Sequence, residues 1–280
     1  MLSILIPTYN YDCSLLVTQL HAQCIDADIE FEIVVGNDGS TSSLDKLRSL
    51  QGSLKNFRLI DFKENRGRSA IRNILINESK YDRLLFIDSD MITCTDDFIK
   101  SYLKEHAPMI SGGLDVIEDN NPDYILHKKY EKNRSANIAT TSNLLIDKQI
   151  LNEFQFVDLK KYGYEDIIFS YQVSKKYEVR FIHNPLIHCG AIKTENFIRR
   201  LEDATEVLVY LFRNEQYRND IVKSTKLLRT YLKIRYIRSL FLLCFNILKP
   251  LILKQLKSKN PNLYLLDIYK LGLLCRYMQY

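Results

Sequence analysis

Two carboxylates one residue apart, Asp88-Ser89-Asp90, follow the apolar run Leu84-Leu85-Phe86-Ile87. Carboxylate oxygens are hard ligands that suit Mg²⁺ or Mn²⁺, ions that commonly reach proteins as partners of phosphate groups. The same tripeptide also reads as a strand end with solvated or capping acids. A second acidic pair, Glu165-Asp166 in Tyr162-Gly163-Tyr164-Glu165-Asp166, opens a helical pattern. There a carboxylate can take a proton from an attacking hydroxyl, or merely stabilise the helix dipole. Arg68 and Arg72 lie four apart near a helix start, where positive charge opposes the dipole, so they suit an anion such as a diphosphate, or form a solvated basic face. Asp38 ends an apolar run in Asn37-Asp38-Gly39-Ser40; it can accept from a base or from ribose hydroxyls, or shape an Asp-Gly turn. His188 is a candidate metal ligand or a structural histidine, with His183 close by.

These groups need elements to hold them. Ile4 to Ile6, Phe31 to Val35, Phe57 to Phe62 and Leu84 to Ile87 read as strands, and Leu15, Leu16, Leu20 and then Ala70, Ile71, Ile74, Leu75 recur at helical spacing. That alternation predicts a largely parallel sheet covered on both faces. In such a sheet the turns after the strands, Pro7-Thr8-Tyr9-Asn10, Asn37-Asp38-Gly39-Ser40 and Asp88-Ser89-Asp90, lie along one edge, where open α/β folds bind ligands. Pro108 to Val116 suggests another strand, Asp166 to Ser174 a helix, and Val179 to Ile182 an extended segment. Gly112-Gly113 would allow a close backbone approach to a substrate, or form a bulge.

In this order and spacing the motifs resemble the inverting glycosyltransferases of family 2, with the GT-A nucleotide-sugar fold. The likeness runs from Ser3 to about Gly190. It implies an α/β fold with a largely parallel, mixed sheet flanked by helices, followed by a helical carboxyl-terminal extension. It also implies that Pro7, Thr8, Tyr9 and Asn10 line the nucleotide pocket, that Asp38 contacts the base, and that Gly67, Arg68 and Arg72 adjoin the nucleotide. Asp88 and Ser89 would face the sugar nucleotide, Gly113 the donor sugar or acceptor, and Asp90, with His188 and Asp88, a divalent metal. Asp166, with Glu165 beside it, matches the base. One departure shows: the family usually has two acids before Gly-Ser, and here the first is Asn37, which leaves Asp38 to act alone.

Composition sets the boundaries. With 280 residues, 46% hydrophobic and 26% charged, a sizeable core is possible, and six scattered cysteines without a Cys-x-x-Cys pair read as reduced packing residues of a cytosolic protein. No leader peptide is visible before the first strand. Neither a dinucleotide fingerprint nor a phosphate-binding P-loop occurs. Charge is uneven: residues 221–260 hold ten basic and no acidic residues, leaving 29 basic against 34 acidic elsewhere. A domain boundary is expected near 200, with a catalytic region at 1–200 and a basic helical region at 201–280. Leu240 to Phe245 is fully apolar, but Asn246, Lys249 and Pro250 interrupt it before the roughly 20 residues a bilayer span needs. An anionic membrane surface is the expected partner of 221–260, against a helical subdomain that merely packs, or nucleic acid, for which no motif exists.

The reading is a transferase moving a hexosyl or N-acetylhexosaminyl group from a nucleotide diphospho-sugar, UDP-linked by expectation, with Mn²⁺ or Mg²⁺. The acceptor is a hydroxyl of a glycan or lipid-linked molecule in bacterial surface polysaccharide synthesis, at the inner face of the plasma membrane. A nucleotidyltransferase would need a glycine-rich basic loop where Pro7-Thr8-Tyr9-Asn10 stands. A silent membrane-associated binding module would not need both the metal acids and the base.

Overall fold

The computed structural model describes residues 1–279 apart from 118–120, 135–138, 158, 160 and 162, so Tyr162 lies outside the described residues. The chain forms two compact units that interleave in sequence, one of 1–117, 135–158 and 172–190, the other of 118–134, 159–171 and 191–280.

The elements follow in chain order. β1 (Leu2–Thr8), α1 (Ser14–Asp26), β2 (Phe31–Asp38), α2 (Asp45–Leu50), β3 (Phe57–Phe62), α3 (Arg68–Glu78), β4 (Arg83–Ile87), β5 (Met91–Thr93) and α4 (Phe98–Leu103) come first. β6 (Met109–Ser111), β7 (Leu114–Val116), α5 (Ile125–Arg134), β8 (Asn143–Asp147), α6 (Lys148–Glu153), α7 (Glu165–Ser174), β9 (Val179–Phe181) and β10 (Leu186–His188) follow. The remainder is helical: α8 (Thr194–Arg213), α9 (Glu215–Ser224), α10 (Lys226–Lys233), α11 (Arg238–Leu256) and α12 (Leu263–Tyr277).

The first unit is built on a seven-stranded sheet of order β3-β2-β1-β4-β8-β6-β9. β3, β2, β1 and β4 run parallel, and β8 is antiparallel to both β4 and β6. Every residue of β2 is buried, as are all but Pro7 of β1. Continuous burial without alternation is what a sheet covered on both faces demands of its central strands. One core cluster joins Ile4, Ile6, Ile33 and Val35 to Leu16, Val17 and Leu20 of α1 and Phe98, Ile99 and Tyr102 of α4. Pro108 to Val116 is two strands, because Gly112-Gly113 ends the pairing with β8 and sends β7 into a three-stranded sheet of order β5-β10-β7. All six cysteines are free, and burial pushes the thiols of Cys13 and Cys24 up to about 12.

The second unit gathers α5, the start of α7 and α8 to α12. His127 and Tyr130 of α5 meet the Phe197 ring of α8 at 5.1 Å each, and α12 packs on α8, α10 and α11. A Cβ on Gly272 would lie 2.4 Å from the Phe245 ring, so this glycine lets α11 and α12 approach closely. The close packing offsets the helix penalty of glycine, about 1 kcal/mol.

Candidate active site

The parallel strands deliver their polar ends to one sheet edge, and the first two ends tie each other down. Asn10, at φ 55°, accepts through Oδ1 from the backbone N–H groups of Thr41 (2.7 Å) and Ser42 (3.0 Å), and its own N–H donates to Ser40 Oγ (2.8 Å). The Thr8 hydroxyl donates to the Tyr11 carbonyl at 2.6 Å. Pro7 is half-buried, Thr8 buried and the Tyr9 ring exposed beside them.

Asp38 is buried and accepts from the N–H groups of Arg66 (2.8 Å) and Gly67 (3.0 Å) through its two oxygens. It therefore shapes the loop into α3, where Gly67 takes φ 91° at the helix cap. Asn37 faces Asp61 across the β2–β3 register and donates to its carboxylate at 2.6 Å. An aspartate at 37 would oppose a like charge at this position, which explains the departure from two acids.

Asp88 is held from three sides. Its Oδ1 accepts from Arg72 Nη2 at 2.7 Å, and its Oδ2 from Arg68 Nη2 at 2.9 Å and Ser142 Oγ at 2.8 Å. Burial opposes its ionisation, but the two guanidinium groups and the hydroxyl outweigh that and hold its carboxyl well below the usual carboxylate range. The two arginines differ. Arg68 is exposed, whereas Arg72 is 1% exposed, with its guanidinium 6.0 Å from the centre of the Phe156 ring. Nε and Nη1 of Arg72 have no hydrogen-bond partner among the described residues.

Two residues on, Asp90 has other company. Its Oδ2 lies 3.0 Å from His188 Nε2. Antiparallel pairing of β10 with β5 sets His188 opposite Met91, and the Cys189 N–H closes on the Asp90 carbonyl at 2.8 Å. Gly190 completes the corner: a Cβ there would fall 2.2 Å from Asp90 Oδ2 and 3.0 Å from His188 Nε2. Burial raises the pKa of the Tyr11 phenol, and the nearby Cys189 and Asp90 add to the rise. The Asp oxygen suits Mn²⁺ or Mg²⁺, and the imidazole nitrogen this close to it tips the pair toward the transition metal. Among the described residues no cluster of three such ligands occurs. A two-ligand site fits an ion whose remaining positions go to diphosphate oxygens and water.

Ser89 is half-exposed between the two acids. Gly113, at φ 81°, offers its carbonyl to Asn143 Nδ2 at 2.8 Å. Asn143 also donates to the Asn184 carbonyl (2.9 Å) and accepts from the Tyr102 hydroxyl (2.7 Å).

Ser142, Asn143 and Tyr11 are not among the sequence-derived site residues. A signal for the first two exists, because Thr140-Thr141-Ser142-Asn143 is a polar run directly before the apolar Leu144-Leu145-Ile146. In an antiparallel strand it is the beginning, not the end, that reaches this edge.

Glu165 and Asp166 stand in the second unit, both buried, in the first turn of α7. The turn before them is tight, with Gly163 at φ 136° and Tyr164 at φ 65°. Glu165 Oε2 accepts from the Gly163 N–H at 2.8 Å, so this carboxylate shapes the turn. A Cβ on Gly163 would meet that of Ala204 in α8 at 2.7 Å, which seats the turn on that helix.

This strand order, with polar turns at one edge and spaced carboxylates after β4, is that of the GT-A fold. The model of glycosyl transferase family 2 matches residues 3–158, and the chain belongs to that family. YfnE, an uncharacterized glycosyltransferase of Bacillus subtilis strain 168, is 36% identical over 107 residues, 37% of this chain and 26% of that protein. An uncharacterized glycosyltransferase of Haemophilus influenzae is 24% identical over 195 residues, 62% of this chain and 77% of that protein. The chain thus spans about a quarter of the first relative and three quarters of the second. In fold it is similar to the mannosyltransferase PcManGT from Pyrobaculum calidifontis, solved with GDP-Man and Mn²⁺, at TM-score 0.55 and 14% identity over 78% of this chain and 66% of that one. It is also similar to S. aureus TarS 1-349 solved with UDP-GlcNAc, at TM-score 0.53 and 16% identity over 99% of this chain and 91% of that one.

Proposed function

We propose that the enzyme is a metal-dependent, inverting transferase that moves a hexosyl or N-acetylhexosaminyl group from a nucleotide diphospho-sugar to a hydroxyl of a glycan or lipid-linked acceptor. The observation that carries this reading is the division of labour between two acids two residues apart. Asp88 has both oxygens occupied by arginines and a serine, whereas Asp90 meets an imidazole at 3.0 Å. Asp90 and His188 would hold Mn²⁺ or Mg²⁺, and the bound ion supplies neutralisation of the leaving diphosphate. Asp88 serves as a fixed carboxylate on the sugar-nucleotide side, with the buried Arg72 as its positioning residue and the exposed Arg68, which also bonds it, as the cation at the phosphate side.

The exposed Tyr9 ring offers a face for a base, while Asp38 and Asn10 hold the loops around it. The expected donor is UDP-linked; neighbours of the same fold are solved with UDP-GlcNAc and with GDP-Man, both nucleotide diphospho-sugars. Asp166 takes the proton of the acceptor hydroxyl as it attacks the anomeric carbon opposite the leaving diphosphate. Glu165 orients that turn through Gly163. The acceptor is assigned to bacterial surface polysaccharide synthesis at the inner face of the membrane, the setting the family resemblance and the basic block support.

The test is a panel of nucleotide sugars with Mn²⁺, read by release of nucleoside diphosphate. Metal-stimulated release from one donor, strengthened by a lipid-linked acceptor, is expected; indifference to every sugar nucleotide would overturn the reading.

A further inference from the structure

Helices α10 and α11 use their apolar residues in opposite ways. α10 alternates Lys226, Arg229 and Lys233 with Leu228 and Tyr231, but Leu228 and Tyr231 are buried and the helix packs on α12. Its apolar face is therefore already covered. α11 is apolar on two sides. Leu242, Phe245, Ile252 and Leu256 turn inward, while Leu240, Leu243, Ile247 and Leu251 are 62%, 59%, 69% and 64% exposed. Steps of three and four place these four on one stripe of a helix with 3.6 residues per turn. Exposed Cys244 lies on the same stripe, and exposed Tyr236 and Ile237 precede the helix. A continuous apolar stripe of this length on a surface marks a contact with something apolar.

We infer that this face of α11 lies in the headgroup–acyl boundary of an anionic membrane, with Leu240, Leu243, Ile247 and Leu251 inserted. Charge selects this occupant over a second copy of the chain. Residues 221–260 carry ten basic side chains and no acid. Exposed Lys233 and Arg235 precede the helix, exposed Lys254 closes the stripe one turn after Leu251, and exposed Lys259 follows the helix. Across a two-fold axis these cations would oppose themselves, whereas anionic headgroups complement them.

The helix has the length and apolar composition to span a bilayer, but its inner side argues against that. Asn246 accepts from Arg276 Nη2 of α12 at 2.6 Å, and the Lys249 ammonium sits 5.8 Å from the centre of the Tyr269 ring. A spanning α11 would drag these cations toward the bilayer centre, where they are costly. Lying flat, it keeps them on the protein side.

The purpose of the surface, delivery of the enzyme to a lipid-linked acceptor, rests on the function proposed above, but the surface itself does not. The test uses the full chain in sedimentation with vesicles of phosphatidylglycerol and phosphatidylcholine, and with phosphatidylcholine alone. Binding to the anionic vesicles is expected, weakened by salt. The variant with Leu243→Ser, Ile247→Ser and Leu251→Ser together should bind at least tenfold more weakly while keeping its circular dichroism. Indifference of the wild type to anionic vesicles would overturn the inference, as would unchanged binding by the triple variant. Resistance of bound protein to alkaline carbonate extraction would replace it with a span. A wild-type dimer that the triple variant dissolves, without any vesicle binding, would make the stripe a subunit interface. Nucleoside diphosphate release measured without vesicles is a separate readout; its absence with vesicle binding intact would sink the functional proposal alone.

Discussion

The edge of the sheet and the outer face of α11 treat their unusual groups in contrary ways. At the sheet edge Asp38 and Arg72 are buried and Asp88 half-buried, and the polar side chains there are answered from within the protein. Asp88 has two arginines and a serine, Asp38 two backbone amides, and Asn10 the loop after β2. On α11 apolar side chains stand in water with no internal answer. A polar group removed from water without partners costs free energy, so the first region must complete itself to fold and is thereby preorganised. An exposed leucine carries no comparable folding penalty, so the second can leave its face for an outside partner. The contrast separates residues set by the fold from residues set by what the protein meets.

Substitutions can sharpen or break that contrast. The largest effects belong to the chemistry. Asp166→Asn should keep donor binding and lower transfer by about 10²- to 10⁴-fold; full activity in that variant would end the assignment of the base. Asp90→Asn should lower donor turnover roughly 10³-fold. Its remaining activity should no longer respond to Mn²⁺, which a titration of the metal reads directly.

Next comes the buried pair. Arg72→Leu removes one partner of a nearly enclosed carboxylate and should cost about 3 kcal/mol in urea unfolding at pH 7. The folded-state pKa of Asp88 lies below its unfolded value. Its stabilisation is therefore present above the unfolded pKa and is lost as pH falls toward the folded one. The gap between wild type and Arg72→Leu should accordingly narrow on acidification; a gap that stays constant with pH would mean that Arg72 acts by packing alone.

The smallest effect is expected at Asn37. Asn37→Asp places a carboxylate opposite Asp61 and should cost between about 0.2 and 1 kcal/mol. Asp61→Asn in the same chain should restore the loss. An Asn37→Asp protein as stable as the parent would leave the departure from two acids without this explanation.

How much of this was legible beforehand differs by residue. β1 to β4 and the turns after them could be read because each announces itself within a few positions: an apolar run, then a polar turn. The pairing of His188 with Asp90 could not be read in that way, since 98 positions separate them and a three-residue antiparallel strand brings them together. Ser142 and Asn143 were hidden because β8 reverses direction. In α10 Lys226, Arg229 and Lys233 alternate with apolar residues, the pattern of an amphipathic surface helix, yet α12 covers its apolar side, and α11, apolar on two sides, keeps the exposed stripe.

By itself the sequence determined the family, the strand–turn units with their acids, and a segment of forty residues without a negative charge. These are local patterns, written in neighbouring side chains whatever the chain later packs against. Tertiary structure alone decided that Arg72 turns inward to Asp88 while Arg68 stays exposed, that Ser142 joins them on Asp88, and that pieces 118–134 and 159–171 join the carboxyl-terminal helices. It also decided which helix keeps an apolar face. Burial is a property of what lies across the contact, and a helix does not carry its partner in its own sequence.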